Sequence, residues 1–279
     1  MIIASLRSDV RHLGITLYIE SMRYASLASS SSGNCHAISD GERALLIDAG
    51  ISFKQIRVRL EGLGWSIGQV RGVAITHEHD DHIKALPMIL KHTDWEILAT
   101  SDTLDAIEAR KGLEVPSSRW AQIEAGHTVN WNGWEVRPFS VPHDGQDTVA
   151  YRIEAGGKRM AVVTDLGYVT KLAMEYCKDL DFLAIESNHD VDMLREGPYE
   201  PWLKARILGK QGHLSNDACA ALLAKIITPD LKNVVLAHLS ENNNDPALAK
   251  LASITVIDQS GMGAALRVAS PNEPFEIIL

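Results

Sequence analysis

The chain has 279 residues, 46% of them hydrophobic and 23% charged, ordinary globular usage that excludes disordered and fibrous classes. Lys and Arg total 27 against 36 Asp and Glu, a net charge of −9. That argues against whole-surface binding to nucleic acid or to an anionic membrane, but it leaves room for a local cationic site built on bound metal.

Three cysteines, Cys35, Cys177 and Cys219, lie far apart in apolar patterns. They read as core residues rather than a disulfide framework, and a reducing, cytoplasmic setting is expected. No segment approaches the ~18 apolar residues of a membrane span, so no membrane partner is expected. The stretch from Met1 to Glu20 is cut by Arg7, Asp9, Arg11 and His12, which leaves no apolar core for a signal peptide. Met22 directly precedes the first clean strand pattern. Residues 1–21 are therefore expected to be an extension outside the fold, with an edge strand at Gly14–Ile19 as the alternative.

From there the chain reads as one domain, residues 22–279, without repeats or linkers. Arg23–Ala28 and Cys35–Ser39 form a predicted hairpin around the turn Ser29–Asn34. Ala44–Ile47 is a short buried strand ending at Asp48. Phe53–Leu60 has helical spacing and stops at Gly62 and Gly64. Strand Gly72–Thr76, a helix, strand Glu96–Thr100 and helix Asp102–Arg110 follow. The middle is strand-rich, at Trp120–Ile123, Thr128–Trp131, Trp134–Val141, Thr148–Glu154 and Arg159–Thr164. Helix Val169–Cys177, strand Phe182–Glu186, helices Pro201–Leu208 and Asn216–Ile227, and strand Asn233–Ala237 alternate after it. Helix Pro246–Leu251 then leads to closing strands at Thr255–Asp258 and Phe275–Leu279. This mixed alternation implies an α/β fold with helices packed outside its sheets.

The strongest feature is Thr76-His77-Glu78-His79-Asp80-Asp81-His82, at a strand end. Only 11 of 279 residues are histidine, so three within six positions is not a product of composition. Imidazole and carboxylate are ligands for zinc, iron or manganese. One ion cannot easily take all four ligands from so tight a loop. Two adjacent ions can, one on His77 and His79 and the other on Asp81 and His82. More ligands are then required. His143, Asp165 and His238 each stand just past an apolar strand, where loops gather at one rim of a sandwich. Singly, each has a plainer reading as a surface histidine or a turn aspartate.

Together these residues resemble the metallo-β-lactamase-fold hydrolases, over roughly Arg23 to Leu279. The resemblance implies a four-layer αββα sandwich and two divalent metal ions, Zn²⁺ or Mn²⁺. It implies His77, His79 and His143 on the first ion, and Asp81, His82 and His238 on the second. Asp165 would bridge them, and Asp48 would orient the cluster without binding metal. His82 is present and no cysteine stands near a ligand position, so β-lactamase activity is not expected. Too few residues follow His238 for the helical domain of glyoxalase II. Too few separate Asp165 from His238 for a β-CASP insert.

Four segments are more specific: Ser29-Ser-Ser-Ser-Gly-Asn34, Ile185-Glu-Ser-Asn-His-Asp190, Gly212-His-Leu-Ser-Asn216 and His238-Leu-Ser-Glu-Asn-Asn243. They resemble the compact bacterial YycJ/WalJ-type metal-dependent exonucleases. Gly212–Asn216 is also similar to the Gly-His-Ser-Thr segment of tRNase Z. That likeness implies His213 as proton donor to the leaving group, with Glu186 orienting it, beside Asp165 in the catalytic set. On residue chemistry alone, the favoured reading of His213 is a histidine near a helix cap, and Glu186 could instead be an ordinary exposed carboxylate. A Ser/Gly turn beside metal could offer Ser32 and Asn34 to a substrate phosphate, or simply close a hairpin.

The expected function is a binuclear phosphodiesterase or exonuclease acting on nucleic acid. The alternative is an esterase-type hydrolase of a thioester, lactone or small phosphodiester. A third is a non-hydrolytic metal or redox protein, which ranks last because the flavodoxin-like domain of the diiron members is absent.

Overall fold

A computed structural model describes residues 21–279. The expectation that residues 1–21 form an extension, and its edge-strand alternative, fall almost wholly outside the described residues. Within them the chain folds into two mixed seven-stranded sheets with helices on both outer faces.

The first sheet contains β1 (Arg23–Ala28), β2 (Cys35–Ser39), β3 (Ala44–Ile47), β4 (Val70–Ala74), β5 (Glu96–Ala99) and β6 (Trp120–Gln122). The second contains β7 (Val129–Trp131), β8 (Trp134–Ser140), β9 (Val149–Ala155), β10 (Lys158–Val163), β11 (Phe182–Glu186), β12 (Asn233–Ala237) and β13 (Ala265–Val268). The last strand, β14 (Phe275–Ile278), returns to the first sheet and pairs antiparallel with β1. Strands β3 to β6 are mutually parallel, as are β10 to β13, and the other neighbours are antiparallel.

Strands β1, β2, β3, β11 and β12 are buried on both faces, which is why they read as near-continuous hydrophobic runs. Tyr24, Leu45, Ile47, Tyr151, Phe182 and Val235 point between the sheets. Their alternates Ala25, Leu27, Leu46 and Val73 pack beneath helices α1 (Phe53–Gly62), α3 (Leu86–His92) and α4 (Ser101–Lys111). A one-turn helix, α2 (Asp80–Ile83), sits between α1 and α3 in the chain. On the other side, Leu183, Ile185, Val234 and Leu236 pack beneath α5 (Lys171–Tyr176), α8 (Asn216–Ile226) and α9 (Pro246–Ser260). Two shorter helices, α6 (Val191–Glu196) and α7 (Pro201–Ile207), lie between β11 and α8 in the chain. The result is the four-layer αββα sandwich.

One expectation fails. Thr255–Asp258 is not a strand; it is the third turn of α9, which runs on to Ser260. The β-branched Thr-Val-Ile run favours a strand locally. Tertiary packing decides otherwise, because Ala249, Ser253 and Ile257 recur at four-residue spacing and form the buried face. Strong caps fix both ends. Asp245 accepts from the Ala247 amide with Pro246 behind it, and Gly261 closes the helix at φ 67°. The strand beside β12 is instead β13, which the sequence reading passed over, as it did α6. Cys35, Cys177 and Cys219 are free and buried, as expected.

The sandwich positions the site through its parallel strands. The carboxyl ends of β3, β4, β10, β11 and β12 lead into Asp48, the histidine cluster, Asp165, Glu186 and His238. Ligands characteristically gather at the carboxyl ends of such strands.

Candidate metal centre

Three of the strand-end residues hold a backbone conformation that side chains other than glycine rarely adopt. Asp48, Asp165 and His238 have φ of 62°, 55° and 54°. Each directly or nearly follows a strand, so the left-handed residue turns the chain sharply and aims its side chain back across the rim. Such a conformation costs roughly 1–3 kcal/mol per residue and persists where surrounding contacts over-determine it.

Those contacts are present. Asp48 is buried, and its Oδ1 accepts from the Thr76 amide at 2.8 Å. Its Oδ2 lies 2.7 Å from His82 Nδ1 and 2.9 Å from Thr76 Oγ1. Since a carboxylate only accepts, the Thr76 hydroxyl donates to Asp48 and in turn accepts from His77 Nδ1 at 2.9 Å. His143 Nδ1 donates to the Gly212 carbonyl at 3.0 Å. His238 Nδ1 donates to Glu186 Oε1 at 2.7 Å.

Four imidazoles are thus anchored through Nδ1 to an acceptor, which leaves the Nε2 lone pair of each neutral ring facing inward. What those nitrogens face is unusual. His82 Nε2 is 3.1 Å from Asp165 Oδ2 and 3.4 Å from Asp81 Oδ2. His238 Nε2 is 3.5 Å from Asp81 Oδ2, and His143 Nε2 is 3.7 Å from Asp165 Oδ1. His77 Nε2 lies 2.9 Å from His79 Nδ1. With each ring neutral, as metal binding requires, these nitrogens turn lone pairs toward carboxylate oxygens, and His143 Nε2, His238 Nε2 and Asp165 Oδ2 are buried without a hydrogen-bond partner. A cation among them satisfies every one of these atoms, so the residues fit the metal that the motif implies.

The grouping matches two ions. His77, His79 and His143 bring donor atoms within 4.8 Å of one another, as do Asp81, His82 and His238. Asp165 joins His77 and His82 in one group and Glu186, His213 and His238 in another. The charge balance without metal is consistent with this. Burial opposes ionisation of Asp165, but facing His238 and His82 hold its carboxyl well below the usual carboxylate range. Burial likewise lowers His238, yet Asp165, Asp81 and Glu186 raise it to about 10. His77 is pushed far down by burial and by the neighbouring His82, which Asp165 offsets only in part.

The remaining sequence-derived candidates take distinct places. Glu186 is fully buried and saturated. Its Oε2 accepts from the Leu166 and Leu214 amides at 2.8 and 2.9 Å, and its Oε1 takes His213 Nδ1 at 2.9 Å besides His238. The exposed-carboxylate reading of Glu186 is therefore set aside. His213 is partly exposed at the edge of a cavity of about 170 Å³ beside the cluster, with Tyr199, Arg206 and Ser240 among its walls. Ser32 is exposed and its hydroxyl donates to Glu241 at 2.7 Å. Asn34 is wholly buried. Its amide nitrogen reaches the Ser30 carbonyl at 3.0 Å and His82 Nε2 at 3.3 Å, and its backbone N–H donates to Asp81 O at 2.8 Å. Gly50 permits that seam, since a Cβ there would overlap the Asp81 carbonyl and the Asn34 nitrogen.

The sequence reading missed Thr76 as the hub of the hydrogen bonds, and Asp144 with Arg206. Asp144 follows His143 directly, which was a usable signal. Nothing in the sequence pointed to Arg206, 62 positions later, whose Nε lies 2.6 Å from Asp144 Oδ2.

Residues 43–239 match the sequence profile of the β-lactamase superfamily domain. The chain belongs to the metallo-β-lactamase superfamily. Over 257 residues it is 35% identical to Exodeoxyribonuclease YycJ of Bacillus anthracis, covering 92% of this chain and 94% of that one. It is 34% identical over 245 residues to Exodeoxyribonuclease WalJ of Streptococcus pneumoniae, covering 88% and 91%. Zn²⁺-bound PqqB from Methylobacterium extorquens shares the fold, with a TM-score of 0.65 at 22% identity over 91% of this chain and 100% of that one. The protein is thus a metallo-β-lactamase-fold hydrolase with a metal-binding cluster. No helix among the described residues is long and apolar enough to cross a membrane.

Proposed function

We propose that this metallo-β-lactamase-fold domain, residues 22–279, is a binuclear phosphodiesterase that releases nucleotides from DNA. His77, His79 and His143 would hold one ion, Asp81, His82 and His238 the other, and Asp165 would lie between them. Two such ions, Zn²⁺ or Mn²⁺, supply positive charge for the phosphate and activate a water. They also answer the objection from a net charge of −9. The observation that carries the reading is Glu186 holding Nδ1 of His213 at 2.9 Å, on the wall of the cavity beside the cluster. That contact fixes the ring and turns Nε2 toward the cavity, where it can give a proton to the departing alkoxide oxygen. The substrate class is supported by the two exodeoxyribonucleases the chain resembles along nearly its whole length.

Other residues take supporting parts. Asn34 gives its amide to the Ser30 carbonyl, so its part is to pin the Ser29–Asn34 loop against the cluster. A phosphate contact falls to the exposed hydroxyl of Ser31, since the neighbouring Ser32 gives its hydroxyl proton to Glu241. Both serines line a second cavity, of about 670 Å³, together with Asp81, Lys84, Pro87 and Lys111. Lys84 and Lys111 would meet the phosphates of the strand leading to the cut.

The test is hydrolysis of end-labelled single- and double-stranded DNA and RNA, alongside a thioester and a lactone, with Zn²⁺ or Mn²⁺. Mononucleotide release from DNA that weakens as salt rises supports the proposal. Turnover of the thioester or lactone alone would replace it with the esterase alternative.

A further inference from the structure

Asp144 stands outside the ligand set that the superfamily motifs supply, yet it reaches the same place. Its Oδ1 lies 3.3 Å from His143 Nε2 and 3.6 Å from His79 Nε2. The Gly212 carbonyl holds the proton of His143 on Nδ1, so Nε2 of the neutral ring presents a lone pair to that oxygen. Both atoms are buried and lack a hydrogen-bond partner. Two lone pairs facing one another at this distance repel unless a cation lies against both. The other carboxylate oxygen is accounted for: Oδ2 takes Arg206 Nε and Nη2, each at 2.6 Å. The carboxylate divides its work, one oxygen on an arginine of α7 and the other aimed at the histidine trio.

We propose that Asp144 is an additional oxygen donor to the ion on His77, His79 and His143, and that Arg206 is the positioning residue that turns it there. This rests on the metal-centre reading above. A further donor of carboxylate type would add negative charge at that ion and leave the other ion untouched. It also ties α7, and with it the wall of the cavity beside His213, to the metal. Arg206 is half-exposed, so its substitution disturbs no core packing.

The experiment titrates Co²⁺ and Mn²⁺ into chelator-stripped full-length protein and into Asp144→Asn and Arg206→Ala. Bound metal is read by elemental analysis and the Co²⁺ ligand field by visible absorption. The wild type takes two ions. Asp144→Asn is expected to weaken one of them about 10- to 100-fold and change its absorption, with the second ion as in the wild type. Arg206→Ala is expected to weaken the same ion by a smaller factor. It also carries the test if Asp144→Asn does not fold. Wild-type affinity and spectrum in folded Asp144→Asn, or in Arg206→Ala should the first variant not fold, would overturn the assignment. A wild type that binds no metal would instead overturn the metal-centre reading itself.

Discussion

Glu186 and His213 meet across 27 positions of sequence, Oε1 to Nδ1 at 2.9 Å, at the edge of the metal cluster. The carboxylate is fully buried while the imidazole is partly open to the cavity. A charge that water cannot reach therefore sets the orientation of a ring that lines the cavity.

Replacing His213 by Ala is expected to leave the metal content unchanged. It should lower kcat on a natural phosphodiester by ~10²–10⁴-fold, the usual worth of a general acid. The loss should shrink on a nitrophenyl phosphodiester, whose leaving group needs little protonation. Elemental analysis and kcat on both substrates decide it. Loss of an ion would make His213 a ligand, and equal losses on both substrates would make it a positioning group.

Glu186→Gln should be the more damaging change, because the same oxygen also holds His238 at 2.7 Å. Breaking a buried charge pair costs roughly 3–5 kcal/mol, so urea denaturation should show a loss of that order. Metal affinity should fall as well. Wild-type stability would mean that the two imidazoles do not depend on the charge.

Asp48 touches His82 and Thr76 and no other candidate ligand, so under the proposed assignment it would act on metal only through them. Asp48→Ala should therefore keep the fold and weaken metal binding by ~10–100-fold, as loss of a ligand's hydrogen-bond partner generally does. Metal titration of the stripped variant checks this. Unchanged affinity would show that His82 is held by its packing alone.

Metal-free protein should be most stable near pH 6.5. His238 has a folded pKa of about 10 against an ordinary 6.5. Its contribution is complete below 6.5 and is lost as pH rises through 10. On the acid side, His36 is pushed by burial to about 3, and the unfolded chain takes up a proton that the folded state refuses. A metal on His238, as proposed, would take the place of that proton, so the loaded protein should lack the alkaline decline. Tm against pH, with and without chelator, reads both curves. An alkaline decline of equal size in each would contradict the assignment of His238 as a ligand.

How far the sequence carried the fold depended on which force wrote each segment. Strands buried on both faces left unmistakable apolar runs, and β1, β2, β3, β11 and β12 begin and end where the pattern says. The candidate ligands were legible because all seven stand in the segments that follow such runs. Thr255–Asp258 misled because its β-branched residues carry a local preference that long-range packing on α8 and the second sheet overrode. Asp144 with Arg206, and the double use of Glu186, were hidden for another reason. They depend on which side chains meet across the rim, and one chain's order does not contain that. The left-handed turns at Asp48, Asp165 and His238 were equally silent, because no glycine marks them.

The caps of α9 make that correction testable. Asp245→Ala should cost ~0.5–2 kcal/mol through the lost cap. Gly261→Ala should cost ~1–2 kcal/mol through the left-handed backbone. Denaturant midpoints at fixed m-value measure both. If neither changes stability, residues 255–258 are not the third turn of a capped helix.

The central claim is that two ions held by this cluster make the domain a DNA phosphodiesterase. The most direct measurement returns Mn²⁺ stepwise to chelator-stripped protein while following nucleotide release from end-labelled single-stranded DNA. The account predicts no release from stripped protein and a rise that levels off at two ions per chain. Release that persists in the stripped protein, or two bound ions with no release, would contradict it.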